Sequence, residues 1–299
     1  MPAGSAVRVI LVGGHESADG ADLVRFDDVA ENVSVASSGR GLHNLVSGFL
    51  DEGDTVVVLP MSFGRNPTMV ADTAKTLKWL APRHPDRLAL AATFGQPDHL
   101  VAWLRTAANR ARAVDPDTTL VVVAPHSNVF DEAELHRLAY LVAAHGALPE
   151  VAVAIADDAD ELARAVRRQR VLGAARVAVV PAGFAPSLPT TDADDLGPLM
   201  SASAVARVVR TRVRDALAAL AAGYDGIDVG LDADHGHGYA HSHAFEESQG
   251  THSQPHGHSH PHSHSHSHTH THADGTVHAH AHDGAHAHAH EDAALAPEH

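Results

Sequence analysis

The C-terminal part of the chain is dominated by histidine. Of the 28 histidines in the 299-residue sequence, 21 lie between Asp234 and His299, mostly alternating with a small or polar residue. A neutral imidazole is a good ligand for Co²⁺, Ni²⁺, Cu²⁺ and Zn²⁺. Because this segment has almost no branched apolar side chains to bury, we expect a disordered, metal-binding tail. The ligands predicted within it are His256, His258, His260, His262, His264, His266, His268 and His270.

Polar side chains that could do chemistry also follow four apolar runs in the first part of the chain. If these runs are parallel strands, their carboxyl ends form one crevice, where ligands bind in open α/β sheets. Two or three neutral imidazoles meeting there would make a metal site with positions left for a substrate. The candidates are His15, His99 and His126 for metal binding, His15 and His126 for catalysis, and Ser62, Arg65 and Asn66 for substrate binding.

Each candidate also has a structural interpretation. A histidine at the end of a strand is often a hydrogen-bonded loop residue. Arg65 and Asn66 precede Pro67, where a helical pattern begins, and either of them could serve that helix instead of a ligand.

The elements that would position these residues alternate along the chain. Short, continuously apolar runs predict buried strands at 7–12, 55–59, 88–92, 119–124, 151–155 and 177–180, with a weaker one at 33–36. Helical patterns lie between and after them, at 67–80, 97–113, 132–144, 158–172 and 202–222. This alternation predicts an α/β fold with parallel sheets covered on both faces.

The chain also repeats itself. The run from Val9 to Ser17 resembles Leu120–Asn128, and the run from Val56 to Phe63 resembles Val177–Phe184. We therefore predict two doubly wound halves that arose by internal duplication. The predicted boundaries are 1–115, 116–224 with a closing helix near 199–222, and 225–299 for the tail, entered through a Gly/Asp linker at 226–234.

Composition excludes several classes of protein. Residues 1–214 carry 21 basic and 25 acidic side chains, which argues against a nucleic-acid partner. Cysteine is absent, so thiolate sites and disulfides are excluded. There is no phosphate-binding glycine loop, so no nucleotide is expected. The N-terminal apolar run is too short for a signal or a membrane span, and we expect a cytoplasmic protein with no membrane partner. The oligomeric state stays open.

The motifs at the first strands resemble those of a known family. The run Gly13–Ser17 reads G-G-H-E-S, the run Val56–Gly64 reads V-V-V-L-P-M-S-F-G, and Asp72 follows. This resembles the class II tetrapyrrole chelatases, the sirohydrochlorin cobalto- and ferrochelatases. Their first motif is a strand followed by G-H-G-S, and their second is a strand followed by G-x-H-x-x-x-D. Long members have two chelatase-like halves, and some carry a histidine-rich C-terminal stretch.

The resemblance assigns residues one at a time. His15 matches the first metal-binding histidine, with Glu16 in place of the glycine, and Asp72 matches the aspartate of the second motif. Thr68 stands where the second motif has its histidine. Either His126 or His99 supplies a second imidazole, or water and substrate nitrogens complete the shell around His15, or catalysis has been lost. In the second half, His126 takes the first-motif position and Ser187 or Leu188 lies near the second.

The resemblance implies that the protein inserts a divalent metal into sirohydrochlorin, an octacarboxylate, in tetrapyrrole or cobalamin biosynthesis. Co²⁺ is preferred because long, histidine-tailed members belong to the cobalt branch, with Ni²⁺ and Fe²⁺ as alternatives. Arg65, with Lys75 or Arg40 as weaker candidates, would hold the substrate's carboxylates. The alternative is a non-catalytic cobalt or nickel storage or delivery protein on a chelatase fold.

Overall fold

Two four-stranded parallel sheets form the framework of the protein. The computed structural model describes residues 6–233, together with the backbone of 267–271 and 277–281. The first sheet has the order β2-β1-β3-β4, and its strands are β1 (Val7–Gly13), β2 (Val33–Ser37), β3 (Thr55–Pro60) and β4 (Leu88–Leu90). The second has the order β6-β5-β7-β8, and its strands are β5 (Thr118–Ala124), β6 (Glu150–Ile155), β7 (Arg176–Pro181) and β8 (Asp194–Asp195).

The two sheets confirm the predicted duplication. Each has its first strand in the second position, between its second and third strands, and every pairing is parallel. The central strands β1, β3, β5 and β7 are buried along most of their length, as their continuous apolar runs predicted. All seven predicted strands are present, so the predicted α/β class is confirmed.

Among residues 6–233, seven helices cover the sheets, and five of them were predicted. They are α1 (Arg40–Asp51), α2 (Pro67–Lys78), α3 (Pro97–Val114), α4 (Val129–Ala144), α5 (Ala159–Val171), α6 (Ala202–Ala221) and α7 (Ile227–Leu231). Side-chain caps begin several of them, and Asn128, Asp158 and Ser201 accept backbone N–H groups at α4, α5 and α6. Short 3₁₀ turns lie within His15–Phe26, where non-helical residues at 17–20 interrupt them, and at Ala81–Arg83.

Helix α1 was missed because two glycines, Gly41 and Gly48, weaken its helical pattern. The signal was nevertheless present. Leu42, Val46 and Leu50 are spaced four residues apart and form one buried stripe on this helix. Packing of this stripe therefore outweighs the low intrinsic helix propensity.

Helix α6 corrects the expectation that it closes the second half. It packs against β3 and β4 of the first sheet. Arg210 donates a hydrogen bond to the Val29 carbonyl at 3.0 Å, and Arg212 donates to the Phe94 carbonyl at 3.4 Å. The chain therefore returns from the second half to cover the first.

Helix α7 corrects the linker interpretation of residues 226–234. Ile227 is 2 % exposed, and α7 packs against α2. The Leu90 N–H donates to the Asp225 carbonyl at 2.7 Å, which ties the segment to β4. An apolar side chain that looked isolated in the sequence is in fact part of the core of the first half.

The two halves share one hydrophobic core. Phe63 follows β3, Phe184 follows β7, and Phe94 follows β4; their ring centroids lie 5.1–5.4 Å apart. The described residues up to Ala233 belong to one compact unit. Among residues 6–233, none of the helices combines the length and the apolar character that crossing a membrane requires.

The histidine-rich tail lies almost entirely outside the described residues. The prediction that it is disordered concerns those residues and stays a prediction. Two short strands are described in their backbone, β9 (Ser267–Thr271) and β10 (Val277–Ala281), and they pair in antiparallel fashion. The predicted ligands His268 and His270 fall on β9. The other predicted tail ligands lie outside the described residues; they are His256, His258, His260, His262, His264 and His266.

Candidate functional site

The turn after β1 fixes the position of His15. The carbonyl of Gly14 accepts the N–H groups of Ser17 and Asp19 at 2.9 and 3.0 Å. A Cβ on Gly13 would lie 2.3 Å from the nitrogen of Gly20, which itself has a φ of 100°. Only glycine permits this close backbone approach. The turn therefore presents His15 at the carboxyl end of the first sheet.

His15 is a neutral imidazole with a free nitrogen. Its side chain is 15 % exposed, and Nδ1 lies 3.6 Å from Oδ2 of Asp131, in the first turn of α4. Burial, and then the positive charge of Arg65, lower the pKa of His15 to about 4. Nε2 is buried and has no hydrogen-bond partner among the described residues. Near pH 7 the ring is thus a potential metal ligand.

Next to His15 lies a buried pair of opposite charge. Glu16 and Arg65 each have a side chain 1 % exposed, with Oε1 3.9 Å from Nη1. The carboxylate of Glu16 accepts the N–H of Phe63 at 3.2 Å, and its backbone carbonyl accepts the N–H of Phe184 at 2.9 Å. Glu16 therefore joins the ends of β3 and β7. Burial raises the pKa of Glu16, against the opposing effects of Arg65 and of hydrogen bonds from Ser62 and Phe63.

His15 and Arg65 line one cleft, whose remaining wall comes mostly from the second half. Its volume is about 170 Å³. This is below the roughly 300–1,000 Å³ of pockets that enclose a small-molecule ligand. A partly hydrated ion or one edge of a larger molecule would fit in this volume, but a whole macrocycle would not. Both Ser187 and Leu188, the residues near the second-motif position of the second half, line it too.

A group of possible metal ligands lies at the rim of this cleft. His126 Nδ1 lies 3.0 Å from Oδ2 of Asp157 and 3.9 Å from Oε2 of Glu161. Ligand atoms of all three lie within 4.8 Å of one another, and no other group of three His, Asp or Glu residues within 6–233 meets this criterion. The N–H and the ring of His126 hydrogen-bond to Asp157 and lower its pKa. Asp157 also lines the cleft.

Asp157 and Glu161 were missed by sequence reasoning. A signal was available, because Asp157 follows the strand β6 and Glu161 lies in the first turn of α5. The rule that polar residues at strand ends form the site would have selected Asp157. Glu161 lies four residues after Asp157, and its carboxylate accepts the backbone N–H of Asp157 at 3.0 Å.

His15 and His126 occupy equivalent places in the two halves but face different partners. His15 points towards Asp131, whereas His126 pairs with Asp157 and Glu161 of its own half. The structure thus places one histidine inside the cleft and one at its rim. The two do not form a shared group of three ligands in the described part of the chain.

Other predicted site residues support the backbone or lie elsewhere. The buried Ser62 Oγ accepts the N–H of Gly64 at 3.0 Å, and Asn66 caps α2 by accepting the N–H of Met69 at 3.1 Å. Both contacts support the local backbone, and the predicted substrate contacts of Ser62 and Asn66 stay predictions. His99 Nδ1 accepts the N–H of Gln96 at 2.9 Å, and His99 lines a different groove, so it does not supply the second imidazole beside His15.

The residues at the positions of the second chelatase motif, Asp72 and Thr68, do not line the cleft either. Asp72 is half exposed on α2 and pairs with Lys75 at 2.9 Å. Thr68 is exposed. Arg40 and Lys75 line a separate shallow groove beside Trp79. Of the cations predicted to hold carboxylates, Arg65 is the one that lines the cleft.

Comparison with known proteins adds a similarity in fold. No protein-family model and no curated protein matches the chain. Two solved structures are each 14 % identical to this chain. One is SirB from Bacillus subtilis with Fe³⁺. The other is the sirohydrochlorin chelatase SirB from Bacillus subtilis subspecies spizizenii in complex with cobalt. Their TM-scores are 0.47 and 0.43, over 74 % of this chain and 98 % of theirs.

A third similar structure is DR2241 from Deinococcus radiodurans, a multi-domain protein with structural similarity to chelatases. It is 16 % identical, with a TM-score of 0.37 over 70 % of this chain and 55 % of that one. At these identities and TM-scores we take no functional argument from the similarities. Function has to be inferred from the side chains in the cleft.

Proposed function

We propose that this protein inserts a divalent metal ion into a sirohydrochlorin-type tetrapyrrole at the cleft that contains His15. The observation that supports this most directly is that His15, a neutral imidazole whose buried Nε2 has no hydrogen-bond partner among the described residues, lines a cleft. Insertion exchanges one divalent cation for two pyrrole protons and needs no nucleotide. It requires a ligand that holds the ion briefly and releases it to four ring nitrogens, and a single imidazole binds weakly enough to do so.

In this proposal, His15 binds metal and is not the main proton acceptor. With a pKa of about 4, the ring is a poor base near pH 7, although its lone pair is available to a metal. Asp22, which also lines the cleft, is better suited to receive the pyrrole protons, because burial raises the pKa of its carboxyl group. Metal binding and proton transfer, which the sequence analysis assigned to the histidines His15 and His126, are thereby divided between an imidazole and a carboxylate.

The rim group supplies what the missing second-motif histidine would have provided. His126, Asp157 and Glu161 combine one imidazole with two carboxylates, a donor set that suits Co²⁺, Ni²⁺ or Fe²⁺. We propose that an ion first binds there and then passes to His15. Given the cleft volume, the macrocycle enters by one edge, or the halves separate to admit it.

The tail and the choice of metal complete the proposal. A histidine-rich segment attached to the same chain raises the local concentration of metal near the rim. We propose Co²⁺ as the metal, in a cytoplasmic cobalamin pathway, with Ni²⁺ or Fe²⁺ as the alternatives. Imidazole ligands bind Co²⁺ and Ni²⁺ more tightly than Fe²⁺.

The decisive experiment measures insertion directly. Purified protein, sirohydrochlorin and Co²⁺ are mixed anaerobically, and the change in absorbance of the macrocycle is followed. His15→Ala should abolish the protein-dependent rate, whereas His136→Ala, which removes an exposed histidine on α4, should keep the parental rate. Parental protein that takes up Co²⁺ without accelerating insertion would support a storage or delivery protein and contradict the proposal. His15→Ala at the parental rate would show that the site is elsewhere.

A further inference from the structure

Arg65 is the largest fully buried side chain among the described residues, and only part of its guanidinium is satisfied. It follows β3 and lies in the wall of the cleft. Nη1 donates to the carbonyl of Ala182 at 3.4 Å and lies 3.9 Å from Oε1 of Glu16. These contacts hold one end of the group against the second half.

The other two nitrogens of Arg65 have no partner. Nε and Nη2 are buried, and neither has a hydrogen-bond partner among the described residues. In a guanidinium these two atoms form one edge, and their N–H groups point in parallel, at the spacing of the two oxygens of a carboxylate. Burying a cation with two unsatisfied donors is costly unless a ligand supplies the acceptors. The two unpaired N–H groups are those that would donate to the two oxygens of a planar anion.

We propose that the Nε–Nη2 edge of Arg65 is a binding site for one carboxylate, accepted in a bidentate arrangement inside the cleft. We take this carboxylate to be a side chain of the tetrapyrrole, and that assignment rests on the function proposed above. The carboxylate site itself does not. Because Arg65 and His15 line the same cleft, a carboxylate held there brings the adjoining edge of the ring next to the free Nε2 of His15.

Charge favours a carboxylate over a phosphate. The carboxyl group of Glu16 lies 3.9 Å from Nη1 of Arg65, and Asp22 and Asp157 also line the cleft. A monoanion adds one negative charge to this acidic surrounding, whereas a phosphate dianion adds two. The repulsion is larger for the dianion because the site is buried and poorly screened.

The carboxylate site exists in only one of the two halves. By the offsets of the duplicated strands, Ser127 corresponds to Glu16 and Pro186 corresponds to Arg65. The second half therefore lacks both members of the pair, while it contributes the rim group around His126. The first half thus contributes Arg65 and His15 to the cleft, and the second half contributes the rim group.

Binding without metal tests the site. The full chain is treated with EDTA and titrated at pH 8, where free imidazole is neutral, with sirohydrochlorin by absorbance and with acetate by calorimetry. Arg65→Met should weaken both about 10- to 100-fold, since hydrogen bonds to charged groups contribute roughly 1.5–3 kcal/mol. Arg65→Lys, which keeps the charge without the edge, should recover only part of the affinity. Arg87→Met is the matched control, because Arg87 also donates to a backbone carbonyl but is remote from the cleft.

A variant that removes both Glu16 and Arg65 tests whether weaker binding results from misfolding. The double variant Glu16→Gln/Arg65→Met leaves no unpaired buried charge, and it should unfold cooperatively while binding as weakly as Arg65→Met. Equal affinity of this double variant and the parent would overturn the proposal, and so would stronger competition by phosphate than by acetate. Arg65-dependent acetate binding without sirohydrochlorin binding would support the carboxylate site and contradict the proposed function.

Discussion

The ring of His15 meets Asp131 across the boundary between the two halves, with Nδ1 3.6 Å from Oδ2. His15 belongs to the turn after β1, and Asp131 lies in the first turn of α4, more than one hundred residues later. Asn128 holds the same carboxylate oxygen at 2.8 Å through its Nδ2. The carboxylate nearest to the ring of the candidate metal ligand therefore comes from the other half of the molecule. This arrangement resembles the carboxylates that orient metal-binding histidines in proteins generally.

Asp131→Asn should slow metal insertion about 10-fold while leaving the fold intact. The amide keeps the size of the carboxylate but removes the negative charge that lies 3.6 Å from the imidazole Nδ1, and loss of an orienting carboxylate typically costs about 10–100-fold. The measurement is the initial rate at saturating Co²⁺, with thermal unfolding as the check on folding. An unchanged rate would mean that Asp131 does not orient His15.

The lowered pKa of His15 should appear in the pH dependence of stability. In the unfolded chain His15 takes up a proton near pH 6.5, whereas in the folded protein it does so only near pH 4. The unfolded state therefore binds more protons between these values, and stability falls as pH falls through this window, by up to about 3 kcal/mol from this group. Above pH 6.5 the contribution is complete and flat.

His15→Gln isolates that effect from the other titrating groups. The raised pKa of Glu16 has the opposite sign, since the folded state then binds more protons and stability falls as pH rises. Urea unfolding of parent and His15→Gln at pH 7 and pH 5 should show the parent losing more stability on acidification than the variant. Parallel losses would contradict a buried neutral His15.

The rim group should bind metal in the absence of the tail. A chain that ends at Asp234 retains the described core, and it should bind Co²⁺ at a site whose visible absorption contains imidazole and carboxylate contributions. His126→Ala in this short chain removes the only imidazole of the group and should weaken Co²⁺ binding at least 10-fold. His136→Ala is the control. Equal Co²⁺ affinity of His126→Ala and its parent would exclude the rim as a metal site.

Removal of residues 235–299 should change the metal requirement more than the maximal rate. If the tail acts by local concentration, its deletion raises the Co²⁺ concentration needed for half-maximal insertion and leaves the rate at saturating Co²⁺ within about twofold. Insertion rates across a Co²⁺ titration measure both quantities. A short chain that is inactive at saturating Co²⁺ would show that the tail takes part in the reaction itself.

Ile227→Ala should destabilise the protein by roughly 2–4 kcal/mol, because a buried aliphatic side chain is lost and a cavity remains. Ile227 is 2 % exposed, whereas Val229 on the same short helix is 79 % exposed. Val229→Ala is therefore the control and should change the free energy of unfolding by less than about 0.5 kcal/mol. Similar effects of the two variants in urea unfolding would contradict the docking of α7 on the first half.

Local patterns in the sequence determined the secondary structure and the duplication. Continuous apolar runs such as Val56–Leu59 can be buried only as central strands, and the helical patterns between them enforce parallel pairing. The same patterns placed His15 and His126 at equivalent strand ends, because strand order and position along the chain are local information. His15 as the leading candidate and Arg65 as a possible anion contact both followed from this.

Only the tertiary structure decided which of these residues meet. Burial lowers the pKa of His15 and leaves Nε and Nη2 of Arg65 unpaired, and burial depends on how the second half packs over the first. Contacts such as His15 with Asp131 and Glu16 with Phe184 join segments more than one hundred residues apart. No periodicity records such a pairing, because it arises from the packing of two sheets and the return of α6, and not from the order of residues within an element.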